Sequence, residues 1–324
     1  MCTKENEIIG IAKELGWIES EVSTSVSFIA AGEYNENWLL QVGNAKHVFR
    51  INHGSQMGFS HQSEYEFKVL KAVESSGVTP VPYYYSNDGC GLGRGLLLMS
   101  YIEGGEFVYE RDSSQAAAVF AHIHNCPASS ELVAQPDPVV DIARESLGLL
   151  ERYPDHPRKE TFSFLMKYYH KICALAEECA PLWLKEQQVV VNTEVNSGNF
   201  IVDSGKVSLV DWEKAVVSCR YQDLAHFIIP TTTLWRTDFR FTSETRLEFL
   251  QKYHEALASL GGEIPSFEEM DYKTSVLEKT ILLRAMSWCF MAWYEYTRED
   301  RALKSDITFG RISRYLDEIE CFLK

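Results

Sequence analysis

Glu194, Asn199 and Asp211 lie within one short stretch, VVVNTEVNSGNFIVDSGKVSLVDWE at 189–213. It opens on an apolar run at 189–191 and breaks into a polar loop at 192–198. Two short apolar runs follow, 199–203 and 206–211, joined at Ser204-Gly205. Alternating β-branched residues on either side of a two-residue Gly turn predict a β-hairpin. Pairing Asp203 with Lys206 sets the register, putting Asn199 opposite Val210 and Asp211 beside Gly198. An amide oxygen and a carboxylate then meet at the open mouth, with Glu194 in the loop feeding it. Each residue alone fits a turn or a helix cap. Together, two carboxylates and an amide oxygen suit a hard divalent cation carrying phosphate oxygens.

The elements that must position these residues are readable from periodicity. Ile8, Ile9, Ala12 and Leu15 mark an amphipathic helix over 4–15. Strand-like runs follow at 25–30, 38–42 and 47–51, with a polar loop carrying Gly32 at 31–37 between the first two. A helix over 61–75 carries the apolar stripe Phe67, Leu70 and Val73. Runs at 81–85 and 95–99 flank a Gly-rich turn and complete an antiparallel sheet of about five strands. Glycines then end the sheet at 99–105, which divides the chain into 1–100 and 101–324. Helices are predicted at 113–124, 139–151 and 161–179, the middle one within an insertion rich in Pro and Asp at 126–158. After the hairpin come helices at 222–229, 243–260, 270–296 and 309–323.

Composition narrows the function classes. The 324 residues suffice for one large domain or two modest lobes. No run approaches the ~18 apolar residues of a membrane span, and the N-terminal segment is too polar for a secretory signal. Eight scattered cysteines, without a C-x-x-C pair, suggest reduced thiols and a cytoplasmic location. A net charge of −15 argues against nucleic-acid partners; it mildly favours a cationic small molecule, and equally fits acidity that serves only solubility.

A carboxylate, then Asn five positions on, then a hairpin and Asp is the layout of a kinase catalytic loop and its metal-binding Asp. With Asp211-Trp212 and Asp223-Leu224-Ala225, the segment resembles the aminoglycoside phosphotransferase / choline kinase family. The resemblance spans roughly residues 25–300. It departs at Asn192, where the family usually has His, and at Glu194, where it has the catalytic Asp. What it implies is an α+β, protein-kinase-like two-lobed fold. The N-terminal lobe, 1–100, would be an antiparallel β-sheet with one main helix that binds nucleotide. The larger, mostly helical C-terminal lobe, 101–324, would carry catalysis and the substrate site.

The resemblance further implies an ATP- and Mg²⁺-dependent transferase, a small-molecule kinase. Glu194, Asn199 and Asp211 would be catalytic, with Asn199 and Asp211 on the metal. Arg50 would hold nucleotide phosphates, steadied by Glu66, with Glu64 as the alternative one register earlier. Gly32 would lie in the loop covering the phosphates, and Met99 and Tyr101 at a hinge reading the adenine edge. Asp223 would support the catalytic loop through its backbone, and His124 would be structural. The acceptor would be a small, amine-bearing alcohol such as an aminoglycoside, choline or ethanolamine. Trp288, Phe290, Trp293, Tyr294 and Tyr296 form an aromatic group suited either to a core or to a cation cage. Because Asn192 and Glu194 depart from the pattern, a nucleotide-binding relative without turnover stands beside the working kinase. An interaction scaffold without nucleotide affinity is the third reading.

Overall fold

The computed structural model describes residues 4–19, 21–32, 34–261, 264–298 and 305–323. Strands β1 (Thr24–Ala31), β2 (Asn35–Val42), β3 (Ala45–Asn52), β4 (Pro82–Ser86) and β5 (Leu96–Ser100) form an antiparallel sheet in the order β1-β2-β3-β5-β4. The unbroken apolar run of β5 follows from burial on both faces. Leu96 and Leu98 join Phe49, Ile51, Trp38 and Leu40 beneath helix α1 (Lys4–Glu14). Leu97 and Met99 join the core of helix α2 (Gln62–Val73), which continues into the helical part of the chain. Alternation along β3 therefore turns Arg50 away from α1 and toward α2.

β2 begins three residues earlier than its apolar pattern implied. Asn35 and Asn37 tolerate the strand because their side chains have partners: Asn52 Nδ2 donates to Asn35 Oδ1 at 2.9 Å, and Arg50 Nε donates to Asn37 Oδ1 at 2.8 Å. The loop between β1 and β2 is correspondingly short, and its Glu33 lies outside the described residues.

The remainder is mainly helical: α3 (Tyr109–His124), α4 (Pro138–Glu151), α5 (Lys159–Trp183), α6 (Tyr221–Ile228), α7 (Pro230–Thr233), α8 (Ser243–Ser259), α9 (Phe267–Thr297), α10 (Asp306–Asp317) and α11 (Ile319–Phe322). Short strands supplement them. β6 (Gly105–Glu106), β8 (Phe200–Asp203) and β9 (Lys206–Leu209) form one sheet, and β7 (Gln188–Val191) pairs with β10 (Val216–Cys219). Local chemistry sets several boundaries. Asp137 accepts from Val140 N at 3.1 Å with Pro138 at the first helical position of α4, and Ser266 accepts from Glu269 N at 3.2 Å at the start of α9. The terminal helix, expected to be continuous over 309–323, is broken at Glu318, whose backbone leaves the helical region. The break lets Tyr315, Leu316, Ile319 and Phe322 all reach the core.

Among the described residues no helix is long and apolar enough to cross a membrane, and the seven cysteines are free thiols. An aromatic knot ties the helices to the hairpin. The Phe227 ring of α6 lies 4.9–6.0 Å from the rings of Phe107, Tyr109, Phe120, Phe200, Phe241 and Phe249. Phe200 directly follows Asn199, so this knot fixes the start of the hairpin. Phe227→Ala is expected to lower unfolding stability by about 3–5 kcal/mol, measured as a shift of the urea midpoint at unchanged slope.

Candidate active site

The hairpin takes the register read from the sequence: Asp203 pairs with Lys206 and Phe200 with Leu209. Val210 N donates to Asn199 O at 2.8 Å, which seats Asn199 opposite Val210. Asn199 Nδ2 donates to the Glu194 carbonyl at 2.6 Å, which leaves the amide oxygen as the atom able to meet a cation. Asp211 adopts a left-handed backbone (φ 65°), tolerated by Asp better than by most residues.

Glu194, Asp211 and Glu213 bring one carboxylate oxygen each to within 4.8 Å of one another. Glu213 escaped the sequence reading; its signal was an acid two positions beyond Asp211. It is buried and accepts from Asn35 Nδ2. Burial, and then the Asp211 and Glu194 carboxylates, push its carboxyl well above the usual range. Crowded like charges with all-oxygen donors are a set that a hard divalent cation would relieve. The residues present therefore fit Mg²⁺.

Arg50 is the cation already in place. Its guanidinium donates to Glu66 Oε1 at 2.5 Å and to Asp211 Oδ1 at 3.1 Å, both through one terminal nitrogen. Burial opposes the Arg50 charge, but Glu66, Asp211 and Glu213 overcome it and leave the pKa raised. Burial pushes the Glu66 carboxyl up as well, against the pull of Arg50. Glu64, the alternative partner, instead lies toward the surface with Lys68 and Asn87.

Asp223 supports the loop. Its carboxylate accepts from Asn192 N at 2.8 Å and Thr193 N at 2.9 Å, holding Thr193 in a left-handed conformation (φ 67°). Asn192, where the resemblance leads one to expect His, is itself well bonded: its Oδ1 accepts from Glu194 N at 3.0 Å and its Nδ2 donates to Asp211 O at 2.7 Å. His124, fully buried, lies with Nε2 3.4 Å from Asp223 and Nδ1 2.9 Å from the Tyr253 hydroxyl. It is a support residue.

Glu194, Asp211 and Glu213 face a cleft of about 850 Å³ lined also by Gly32, Arg50, Asn199, Lys214 and Arg284. Glu66 stands behind Arg50. The lining includes neither Met99 nor Tyr101. Met99 is buried in the core, and Tyr101 N already donates to Lys46 O at 3.3 Å. Of the aromatic group, Trp288 and Tyr296 reach the cleft, joined by Trp235 and Tyr315. Phe290 instead stacks on His156 at 3.6 Å, and Trp293 lies under Arg158 at 4.6 Å. The aromatics of α9 thus divide between core and cleft.

A model of the phosphotransferase enzyme family (APH) matches residues 25–262. The fold is that of the kinase-like phosphotransferases. An ethanolamine kinase of Plasmodium vivax superposes with a TM-score of 0.66 at 12% identity, over 96% of this chain and 86% of the other. A choline/ethanolamine kinase family protein of Mesorhizobium loti gives 0.65 at 14% identity, over 97% and 95%. The ADP-bound aminoglycoside phosphotransferase APH(2'')-Ib gives 0.55 at 16% identity, over 95% and 96%. No curated protein matches the chain in a sequence search. The chain belongs to the phosphotransferase enzyme family.

One consequence is a pH dependence of folding. Burial holds His124 below its ordinary value of 6.5, against the opposing pull of Asp223. The unfolded chain therefore binds this proton first, and stability falls as pH drops below about 6.5, by at most about 1.4 kcal/mol per pH unit for this group. Denaturant titrations between pH 7.5 and 5.5 should show a shallower fall in His124→Gln than in the unaltered protein.

Proposed function

We propose that the protein transfers the γ-phosphoryl group of ATP to a hydroxyl of a small molecule. The observation that carries this reading is the meeting of Asn199, Asp211 and Glu194 beside Arg50 at one cleft. Family membership supports a phosphotransferase, and nucleotide use is supported by the ADP bound in the similar aminoglycoside phosphotransferase. In this reading residues 1–100 form the nucleotide-binding lobe and 101–324 the catalytic and substrate-binding lobe. The aminoglycosides, choline and ethanolamine expected from the sequence make the first acceptor panel.

Phosphoryl transfer asks the protein chiefly for position and charge. Asp211 and Asn199 would hold Mg²⁺, with Glu213 alongside. Once bound, Mg²⁺ would neutralise charge on the β- and γ-phosphate oxygens. Arg50, kept charged and oriented by Glu66, would hold the α- and β-phosphates, its planar fork suiting their oxygens. Gly32 would let the β1–β2 loop cover them. Glu194 would orient the acceptor hydroxyl and take its proton as the new oxygen–phosphorus bond forms and the bond to ADP breaks. Neither Met99 nor Tyr101 lines the cleft, so neither is given a part in binding the adenine.

A second reading, a nucleotide-binding relative without turnover, is favoured by Glu194 itself, whose added methylene shifts the carboxylate by about 1 Å, enough to cost about 10²-fold in rate. Three substitutions separate the two. In a working enzyme Glu194→Gln lowers kcat by about 10²–10⁴-fold while Mg·ATP still binds, and Asp211→Asn weakens that binding. Glu194→Asp lowers kcat by about 10²-fold if the loop is built around Glu. Activity appearing only in Glu194→Asp would establish the turnover-free reading, and absence of Mg·ATP binding in the unaltered protein would overturn both. ADP release and calorimetry supply the measurements.

A further inference from the structure

Beyond the three carboxylates the cleft becomes basic. Arg284 of α9 lines it and is only 7% exposed. Its guanidinium has five donors, yet its contacts are long: Gln222 Oε1 at 3.3 Å, His226 Nδ1 at 3.5 Å, and the nearest carboxylate, Glu145, at 4.0 Å. A buried cation this loosely compensated is costly unless an anion completes it.

Arg236 approaches from the segment after α7. It packs so closely over Gly198 that a Cβ there would run into its guanidinium, and it has no carboxylate partner among the described residues. Lys214 stands 3.7 Å from Glu194 Oε1, on the same wall. Thr231 also lines the cleft, and its buried hydroxyl has no hydrogen-bond partner. The positive field is felt by a neighbour: burial first, then Arg284 and Lys214, hold the His226 imidazole well below its usual pKa.

Trp235, Trp288 and Tyr315 complete this end of the cleft. Such faces attract a quaternary ammonium where no other cation competes. Here guanidinium groups share the wall. The overall charge of −15 is therefore a poor guide to the local field.

Resting on the phosphotransferase reading, we infer that the acceptor is an alcohol carrying an oxyanion, either a carboxylate or a phosphate monoester. Arg284 and Arg236 bind the oxyanion while the hydroxyl reaches Glu194. His226 meets the Thr193 backbone on one side and Arg284 on the other, so a single imidazole separates the catalytic loop from Arg284. The transfer balances as written above: the acceptor oxygen gains phosphorus, its proton passes to Glu194, and ADP leaves.

The test is calorimetric titration of the full chain saturated with Mg·ADP. Glycerate and glycerol 3-phosphate serve as the two anionic alcohols, with choline, ethanolamine and kanamycin as cationic ones. At least one anionic alcohol should bind and the cationic ones should not. Arg284→Gln and Arg236→Gln should each weaken that binding by about 10- to 100-fold. Preference for glycerate or for glycerol 3-phosphate assigns the oxyanion as carboxylate or phosphate. Binding of the cationic alcohols alone, no binding of either anion, or anion binding indifferent to both substitutions would overturn the inference. Mg·ADP affinity is read first: its loss in a variant reports misfolding, and its absence in the unaltered protein strikes the phosphotransferase reading instead. Arg236→Lys, which keeps the charge on an exposed side chain, should retain most of the affinity if charge is what binds.

Discussion

Carboxylates held within 4.8 Å of one another repel strongly unless something positive or hydrogen-donating answers them, and the elements around Glu194, Asp211 and Glu213 are arranged to answer. Arg50 bridges Asp211 to Glu66, tying β3, α2 and the end of the hairpin together through one guanidinium. Asn35 donates to the Glu213 side chain, while Gln62 Nε2 donates to its carbonyl at 2.8 Å. Tyr65 follows suit with Ala215 O at 2.7 Å. Each of these contacts joins the five-stranded sheet or α2 to the segment just after Asp211. The relative placement of sheet and helices is thus governed by the charge problem at the cleft floor as much as by apolar packing.

Under the loop a second polar arrangement works on a different principle. Among the described residues no guanidinium pairs with Asp223. It is satisfied by two backbone N–H groups and approached by a buried imidazole. Such an arrangement fixes geometry, because each donor approaches from a set direction. It also explains why Asn can stand at 192. An amide supplies an acceptor for Glu194 N and a donor for Asp211 O, so the loop and the far end of the hairpin are clamped without any charge. A protonated His there would bring a further cation; a neutral amide brings none.

Local pattern made the hairpin legible. Period-two alternation around Ser204-Gly205 admits one register that buries Phe200, Val207 and Leu209, and the structure adopts it. The sheet of five strands and the main helices were legible for the same reason. Strand starts were not, because Asn35 and Asn37 look like loop residues until their partners Asn52, Glu213 and Arg50 are in place. By strand alternation alone a charge at position 50 would face solvent; the family resemblance is what placed Arg50 at the phosphates. Glu213 was missed because an acid after Asp211-Trp212 carries no periodic signal. Arg236 and Arg284 lie at least 25 residues from Asp211 in sequence, on elements whose docking no local pattern encodes. What is written locally could be read; what arises from convergence could not.

The cleft therefore has two electrostatic halves, and their order matters. At the end formed by β3 and the hairpin, carboxylates predominate and one buried guanidinium answers them. At the end formed by α6, α7 and α9, cations predominate and Glu145 answers at 4.0 Å. Lys214, 3.7 Å from Glu194, marks the seam. A molecule lying across that seam feels a field running along its length, which orients it before any contact is made. With a hydroxyl at the acidic side and negative charge at the basic side, the favoured orientation is the one that offers the hydroxyl to Glu194. A cationic alcohol would be drawn the other way, its charge toward the carboxylates and its hydroxyl left among the arginines. Orientation and affinity therefore point to the same acceptor chemistry, and the aromatic wall is left to pack the carbon skeleton between them.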